Sequence, residues 1–302
     1  MLVKTTLLTM MMLSNSPYFI KEPTCISFSG GRTSAYMLYK VLEAHDGLLP
    51  DYAKIVFANT GKEMPETLDF VNDCSKHWDV DIVWLERYAR KTEEGEKNKF
   101  AYKNKIVNYK TASRNGEPFE QLIQTMGYAP NPVARYCTKM LKLGAISDYI
   151  VNECGFEKPY VSFVGIRGDE QRRAVKLNGT IESGQERYLP LYLDGVTAKD
   201  VGDFWKNNHF DLQLPNNNGV TDWGNCDLCF LKGTGKKQSI IRERPDLADW
   251  WIEQEESLSA DKGKGAFFRA DRPSYKTMKR IALDQTTIFD FTDETISCFC
   301  GD

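Results

Sequence analysis

Two groups of residues in this chain have types and spacings that do chemistry. The first is the stretch Phe28-Ser-Gly-Gly-Arg-Thr-Ser34. Two glycines and three hydroxyls stand between a strand-like run, Cys25-Ile26-Ser27, and the helical pattern "AYMLYKVLEA". A strand that feeds a Gly-Gly turn into a helix offers an anion close backbone approach, exposed N–H groups and the positive end of a helix dipole. Ser29, Thr33 and Ser34 add hydroxyl donors and Arg32 adds charge, so Ser29, Gly30, Gly31, Arg32, Thr33 and Ser34 form a candidate phosphate or sulfate site. The spacing is neither the dinucleotide fingerprint nor a Walker A loop. The competing reading is a tight turn that needs positive φ at Gly30 or Gly31.

The second group is cysteine. Of eight cysteines, Cys25, Cys74 and Cys154 stand alone in apolar or mixed segments and read as ordinary buried thiols. Cys226-x-x-Cys229 and Cys298-x-Cys300 are close pairs, which can chelate a metal. A structural zinc on these four thiolates is one reading, and four free thiols another. A chain this long needs no disulfides to staple its core, so a reducing, cytoplasmic setting is expected.

Elements that position these groups follow from periodicity. "TCISFS", "KIVFANT", "DIVWLER" and "YVSFVGI" read as strands, with "RYLPLYL" as a fifth candidate. Helical patterns lie between them, and "PETLDFVNDCSKHW" has Pro65 at a favoured first position. This alternation predicts a doubly wound, mainly parallel α/β sheet. After Thr197 come a helix, a Gly/Asn-rich connection carrying Cys226 and Cys229, and a helix broken at Pro245. The expected organisation is a flexible leader over 1–23, a nucleotide-binding domain over 24–215 and a helical, cysteine-bearing extension over 216–302. A basic insertion interrupts the domain at about 90–128. Arg90 to Arg114 holds eight Lys/Arg against three Glu, an excess of +5, and reads either as plain solvated surface or as an anion-contacting flap.

The whole chain excludes some classes. Its 302 residues are 41% hydrophobic and 27% charged, enough for a full core. A formal net charge of −3 argues against a nucleic-acid-coating protein, and no run is long enough to span a bilayer. Lys4 and the apolar run Leu7 to Leu13 resemble a short signal peptide but lack a small-x-small cleavage site.

Four blocks, in order from Ser27 to Pro215, resemble the phosphoadenosine phosphosulfate (PAPS) reductase family of the PP-loop, adenine nucleotide α-hydrolase-like superfamily. "SGGRTS" is similar to the PP-loop S-G-G-x-x-S, and "FANTGKEMPETLDFV" to the family's DTG…PET…F segment. "FVGIRGDEQRRA" and "YLPLYLDGVTAKDVGDFWKNNHFDLQLP" are similar to its two later blocks. The resemblance implies an adenine nucleotide, adenylyl sulfate (APS), PAPS or ATP, across the carboxyl edges of the strands. It places Asn59, Thr60 and Gly61 near the adenosine, and Arg167, Gly168, Arg172 and Arg173 near the anionic end. Thr33 stands where PP-loop pyrophosphatases carry Asp, and Asn59 where the family carries the Asp of DTG. A tightly held Mg²⁺ would then depend on Asp169 and Glu170.

The same resemblance bears on the cysteines. Iron–sulfur members of the family carry adjacent cysteines and, further on, a C-x-x-C pair. Cys137 matches the second of the adjacent pair, Tyr136 replaces the first, and "NCDLC" supplies Cys226 and Cys229. Three ligands of a [4Fe–4S] cluster, Cys137, Cys226 and Cys229, are therefore implied; the fourth is Cys298 or Cys300, or one iron stays open to bind substrate sulfur, with zinc as the alternative metal. "SCFCGD" keeps the Cys-Gly of the family's C-terminal motif without its flanking Glu and His, which makes Cys300 the expected nucleophile. The function implied is a thiol- and cluster-dependent sulfonucleotide reductase with a thioredoxin-like electron donor. Its alternatives are an ATP-dependent adenylating sulfurtransferase, drawing on a sulfur donor with its basic flap on nucleic acid, and a nucleotide-binding module without catalysis.

Overall fold

The structure, a computed structural model, describes residues 16–93, 99–262 and 266–284. The chain enters β1 (Thr24–Phe28), turns into α1 (Arg32–Ala44), and returns through β2 (Ala53–Ala58) and α2 (Pro65–Trp78) to β3 (Ile82–Lys91). It then doubles back as β4 (Phe100–Val107) and continues through α3 (Glu117–Met126). A helical segment over 138–153 follows, α4, with π turns over Thr138–Gly144 and Tyr149–Glu153 around one α turn. Next come β5 (Tyr160–Val164), α5 (Gln171–Leu177), β6 (Ile181–Glu182) and β7 (Gln185–Tyr188). Helices α6 (Pro190–Leu193), α7 (Ala198–Lys206), α8 (Thr234–Glu243), α9 (Leu247–Lys262) and α10 (Tyr275–Asp284) complete the described chain.

The seven strands lie in the order β4-β3-β2-β1-β5-β7-β6. The five central strands are parallel, and β4 and β6 are antiparallel at the edges. The predicted doubly wound α/β class is what the chain forms. Strand order runs outward from β1 to β3 and then restarts at β5 on the other side of β1. The crevice beyond the carboxyl ends of β1 and β5 is therefore the switch point at which such sheets bind ligands.

Local sequence explains most elements. Pro65 occupies the first turn of α2, where its missing N–H costs nothing. Thr197 caps α7 through a reciprocal box with Asp200. β1 is buried along nearly its whole length, as a central parallel strand must be. One core covers the α1/α2 face, from Ile26, Phe28 and Phe57 to Phe70 and Trp205. It continues through Phe119, whose ring meets Trp250 and Trp251 of α9 and Phe268 in the connection to α10. A second core, with Cys25, Val56, Leu85 and Ile150, lies on the α4 face.

Two expectations are corrected. "RYLPLYL" is not one strand: β7 ends at Tyr188, and Pro190 opens the short helix α6, since proline has no N–H for a ladder. Over its described part the basic stretch is a paired ribbon, with β3 running on to Lys91 and β4 pairing back along it. The end of the expected leader is docked: Tyr18 and Ile20 are 3% and 1% exposed, the Ile20 N–H donates to His45 Nε2 at 2.9 Å, and the Tyr18 hydroxyl to Asp194 at 2.8 Å. Among the described residues no helix is long and apolar enough to cross a membrane.

Candidate active site

The glycine turn forms the floor of the switch-point crevice. Gly30 has φ +80°, and a Cβ there would lie 2.7 Å from Thr67 Cγ2, so only glycine lets β1 turn here beneath α2. Ser34 Oγ accepts from the Ser29 N–H at 3.2 Å and its hydroxyl at 2.9 Å, and itself donates to the Gly31 carbonyl. These bonds fold the turn back on itself and leave the first-turn amides of α1 aimed into the crevice, as at any helix N-terminus. Gly165, at the end of β5, lets that strand pass the loop closely: a Cβ would come within 3.0 Å of Ser34 Cα.

Arg32 has a second task that its sequence position did not disclose. Its guanidinium is buried and forks onto Asp211 at 2.6 and 2.7 Å, with a further bond to the Leu212 carbonyl. Trp205 Nε1 donates to the Arg32 carbonyl at 2.9 Å. Arg32 thus ties the loop to the segment after α7. Arg167 reaches over the loop and donates to Thr33 Oγ1 at 3.1 Å. It is held by Asp169, which accepts from Arg167 Nε, and by Glu170, which accepts from the Arg167 N–H and pairs with Arg173. Gly168 is a close-approach point for the 195–196 turn, its N–H donating to the Val196 carbonyl. Arg172 is exposed on α5, and neither it nor Arg173 lines the crevice.

The turn after β2 is built from internal bonds. Asn59 donates to Glu86 Oε1 at 2.8 Å and to the Ser113 carbonyl, and accepts from the Gly61 N–H. Glu86 is fully buried and also accepts from the Ser113 N–H, the Ser113 hydroxyl and the Tyr88 hydroxyl. With a carboxylate already there, an amide at position 59 is the group that completes the network. Asn59 and Gly61 therefore shape the turn, and the structure does not bring them to the crevice lining. Thr60 donates to Glu63 and lies 3.6 Å from Cys226 Sγ.

Cys137 at the head of α4 and the C-x-x-C pair Cys226 and Cys229, far from it in sequence, line one small cavity. Thr60, Thr138, Lys142 and Asn225 are on its wall. The C-x-x-C segment is pinned from several sides. Glu63 and Cys226 form a backbone bridge, Asp227 takes a 2.9 Å ion pair from Lys62, and Trp251 Nε1 donates to Asp227 at 2.7 Å. Burial, and then the Glu63 carboxylate, push the Cys226 thiol well above its ordinary range, against the opposing Lys142 ammonium. A buried thiol of this kind stays protonated unless a cation displaces the proton. Among the described residues no three His, Cys, Asp or Glu side chains are gathered as a ready-made site for one metal ion. Cys298 and Cys300 lie outside the described residues.

The cavities along the crevice share walls. A small slot lined by Phe28, Ala58, Ile146, Val164 and Arg187 meets the loop cavity at Ser29. The loop cavity, walled by Gly30, Thr33, Arg167 and Val220, meets the cysteine cavity at Asn225. Thr138 and Lys142 line both the slot and the cysteine cavity. Sequence reasoning did not single out Thr138, Lys142, Arg187, Asp211 or Asn225. The position of Lys142, five residues beyond Cys137 on one helix, was the available signal for it.

Similarity to known proteins agrees with this geometry. The chain is 32% identical over 212 residues to the uncharacterized nin region protein ORF290 of Escherichia phage lambda, covering 70% of this chain and 67% of that one. It is 26% identical over 251 residues to the uncharacterized protein MJ0066 of Methanocaldococcus jannaschii, covering 79% of this chain and 42% of that protein's length. A family model, the phosphoadenosine phosphosulfate reductase domain, matches residues 23–192, from β1 through α6. The chain belongs to the PAPS reductase family, an adenine-nucleotide-binding family of the PP-loop superfamily.

Proposed function

We propose that the protein is a thiol-dependent sulfonucleotide reductase acting on APS or PAPS. The observation that carries this reading is the run of cavities. The slot presents apolar walls and Arg187 where a base would lie, the glycine loop suits an anion next to it, and three cysteines line the cavity beyond the loop. The three carboxylates that touch the loop's own arginines favour a sulfonucleotide over ATP–Mg²⁺. Asp211 is held by Arg32, Asp169 by Arg167 and the Ala198 N–H, and Glu170 by Arg167 and Arg173. None is spare for a cation that carries a triphosphate.

The loop amides and Arg167 would bind and orient the phosphosulfate, and Lys142 would face its outer oxygens from the cysteine side. A thiolate, expected to be Cys300, attacks the sulfur, the S–O bond to the nucleotide phosphate breaks, and AMP (or its 3′-phosphate) leaves. One thiol of a dithiol donor then attacks the Cys300 sulfur of the resulting S-sulfocysteine, releasing sulfite and leaving a mixed disulfide; the donor's second thiol displaces Cys300, leaving the donor a disulfide. Cys137, Cys226 and Cys229, with Cys298, would hold a [4Fe–4S] cluster. When bound, it would supply iron–sulfur chemistry beside the anion, tuned by its net charge and by hydrogen bonds to its sulfurs. Zinc on Cys226 and Cys229 with Cys298 and Cys300 is the alternative.

The test is sulfite and AMP release from APS or PAPS by anaerobically purified protein with a dithiol donor. Stoichiometric sulfite, lost in Cys300→Ala, is the expected result. Pyrophosphate release from ATP that requires a base acceptor and a sulfur donor would replace this reading with adenylating sulfur transfer. Tight nucleotide binding without turnover would reduce the protein to a binding module.

A further inference from the structure

The chemistry above makes no use of the basic edge of the sheet. β4 is the outermost strand on its side, and its exposed Lys103 and Lys105 stand two residues apart, at a strand rise that separates them by about 6.8 Å. Antiparallel pairing with β3 carries β4 from the carboxyl edge of the sheet, at Phe100, down to Val107 at the opposite edge. There it opens into a groove of ≈ 780 Å³ lined by Asn72 and Lys76 of α2, by Tyr109 and Lys110 beyond β4, and by Tyr149 of α4. The groove shares no residue with the three cavities of the crevice.

Charge along this path is unspent. Lys76, Lys103, Lys105 and Lys110 form no salt bridge among the described residues. The segment 100–110 contains no acidic residue, although the chain as a whole carries −3. Asp81 is the one carboxylate in the groove lining. Two aromatic rings flank this path, Tyr102 on the sheet face opposite Lys103 and Lys105, and Tyr109 in the groove. Arg87 lies 5.0 Å over the Tyr102 ring and Arg114 5.0 Å over the Tyr109 ring, and the Tyr109 hydroxyl donates to Asp69 at 2.7 Å. The Tyr109 ring in the groove is partly exposed and already fixed in place, so a flat partner can stack on it without ordering it.

We infer that this edge and its groove bind single-stranded nucleic acid. Spaced cations that track a backbone, beside fixed aromatic rings, are what unpaired strands require, since every base offers a π-face. A duplex hides those faces. The localisation of charge on one edge of a near-neutral protein draws a polyanion there rather than to the surface at large. The inference does not depend on the reductase reading, because the groove and the crevice are separate.

Fluorescence anisotropy with a labelled fifteen-nucleotide oligothymidylate and the full chain tests it, at 50 and 200 mM salt. Four lysine contacts predict a roughly fiftyfold loss of affinity across that range, and Lys103→Ala/Lys105→Ala should about halve the slope of log K against log salt. Tyr109→Ala should weaken binding about tenfold at both salts with the slope unchanged. The lysines are exposed, so the double variant should keep the wild-type melting temperature and remains informative even if Tyr109→Ala does not fold. Excess AMP should not displace the oligonucleotide. The inference is overturned by absence of binding at 50 mM salt, by equal affinity for a blunt duplex, by equal competition from oligoglutamate, by displacement with AMP, or by an unchanged slope in the lysine double variant.

Discussion

The glycine loop and the cysteine cavity share a wall yet are built in opposite ways. The loop is local: six consecutive residues, one positive-φ glycine and a ring of hydroxyl bonds between Ser29 and Ser34. The cysteine cavity is assembled from distant parts, with Thr60 and Cys226 in contact across 166 residues. It is held by a buried ion pair, an indole bond and the Tyr275 hydroxyl donating to the Leu228 carbonyl. A local site can form as soon as its strand and helix do. An assembled site exists only when the whole fold does, and its failure should be visible as loss of stability rather than of one contact.

The largest effect expected from that difference is at Lys62. Its side chain and that of Asp227 are only 7% and 4% exposed, so Lys62→Met strands a buried carboxylate and should cost about 3–5 kcal/mol in denaturant unfolding. Cys226, now loosened, should react with a thiol reagent that leaves it untouched in the wild type. Unchanged stability and unchanged thiol labelling would show that the ion pair is not what holds the assembled half.

The same contrast explains what could be read from the sequence. The loop, the Pro65 start of α2 and the Thr197 cap are written in neighbouring residues, and they form as expected. The short helix at Pro190 was masked by the apolar run around it, whose strand-like composition outweighed a single proline. Arg32 looked like a phosphate ligand because its neighbours do. Its partner, Asp211, lies 179 residues away, beyond the reach of any spacing rule. The pairing of Lys62 with Asp227 and the meeting of Cys137 with Cys226 are likewise products of tertiary packing. Only resemblance to a family joined those cysteines beforehand.

Asn59 lies at the boundary between the two regions and sharpens the comparison. Asn59→Asp restores the carboxylate common in the family but sets it 2.8 Å from Glu86 in a fully buried site. We expect a loss of about 3 kcal/mol at pH 8, shrinking as pH falls and one carboxyl takes up a proton. A variant as stable as the wild type across that range would mean that the network around Glu86 can rearrange.

Gly30→Ala probes the local half. The added Cβ meets Thr67 Cγ2 at 2.7 Å, and the φ of +80° is one that alanine resists, for a combined cost of about 1–3 kcal/mol. Nucleotide affinity should fall more than stability does, while cysteine labelling stays as in the wild type. If labelling changed in parallel, the two regions would be one cooperative unit and the distinction would fail.

The smallest effect is expected far from both, where the N-terminal strap meets the end of α1. His45 Nε2 accepts from the Ile20 N–H and its ring stacks on Phe19, so only the neutral imidazole serves. Burial lowers its pKa, with Asp46 opposing. A histidine whose folded pKa is depressed binds fewer protons in the folded state than in the unfolded one. Its contribution is therefore complete above the unfolded value of about 6.5 and is lost as pH falls through that value toward the folded one. Thermal unfolding from pH 8 to pH 5 should show a decline below about 6.5 that His45→Gln, which keeps an acceptor but not a titration, reduces. Thiol labelling of Cys226 should not follow that decline, because the strap docks on the back of α1 and touches nothing that holds the cysteine cavity.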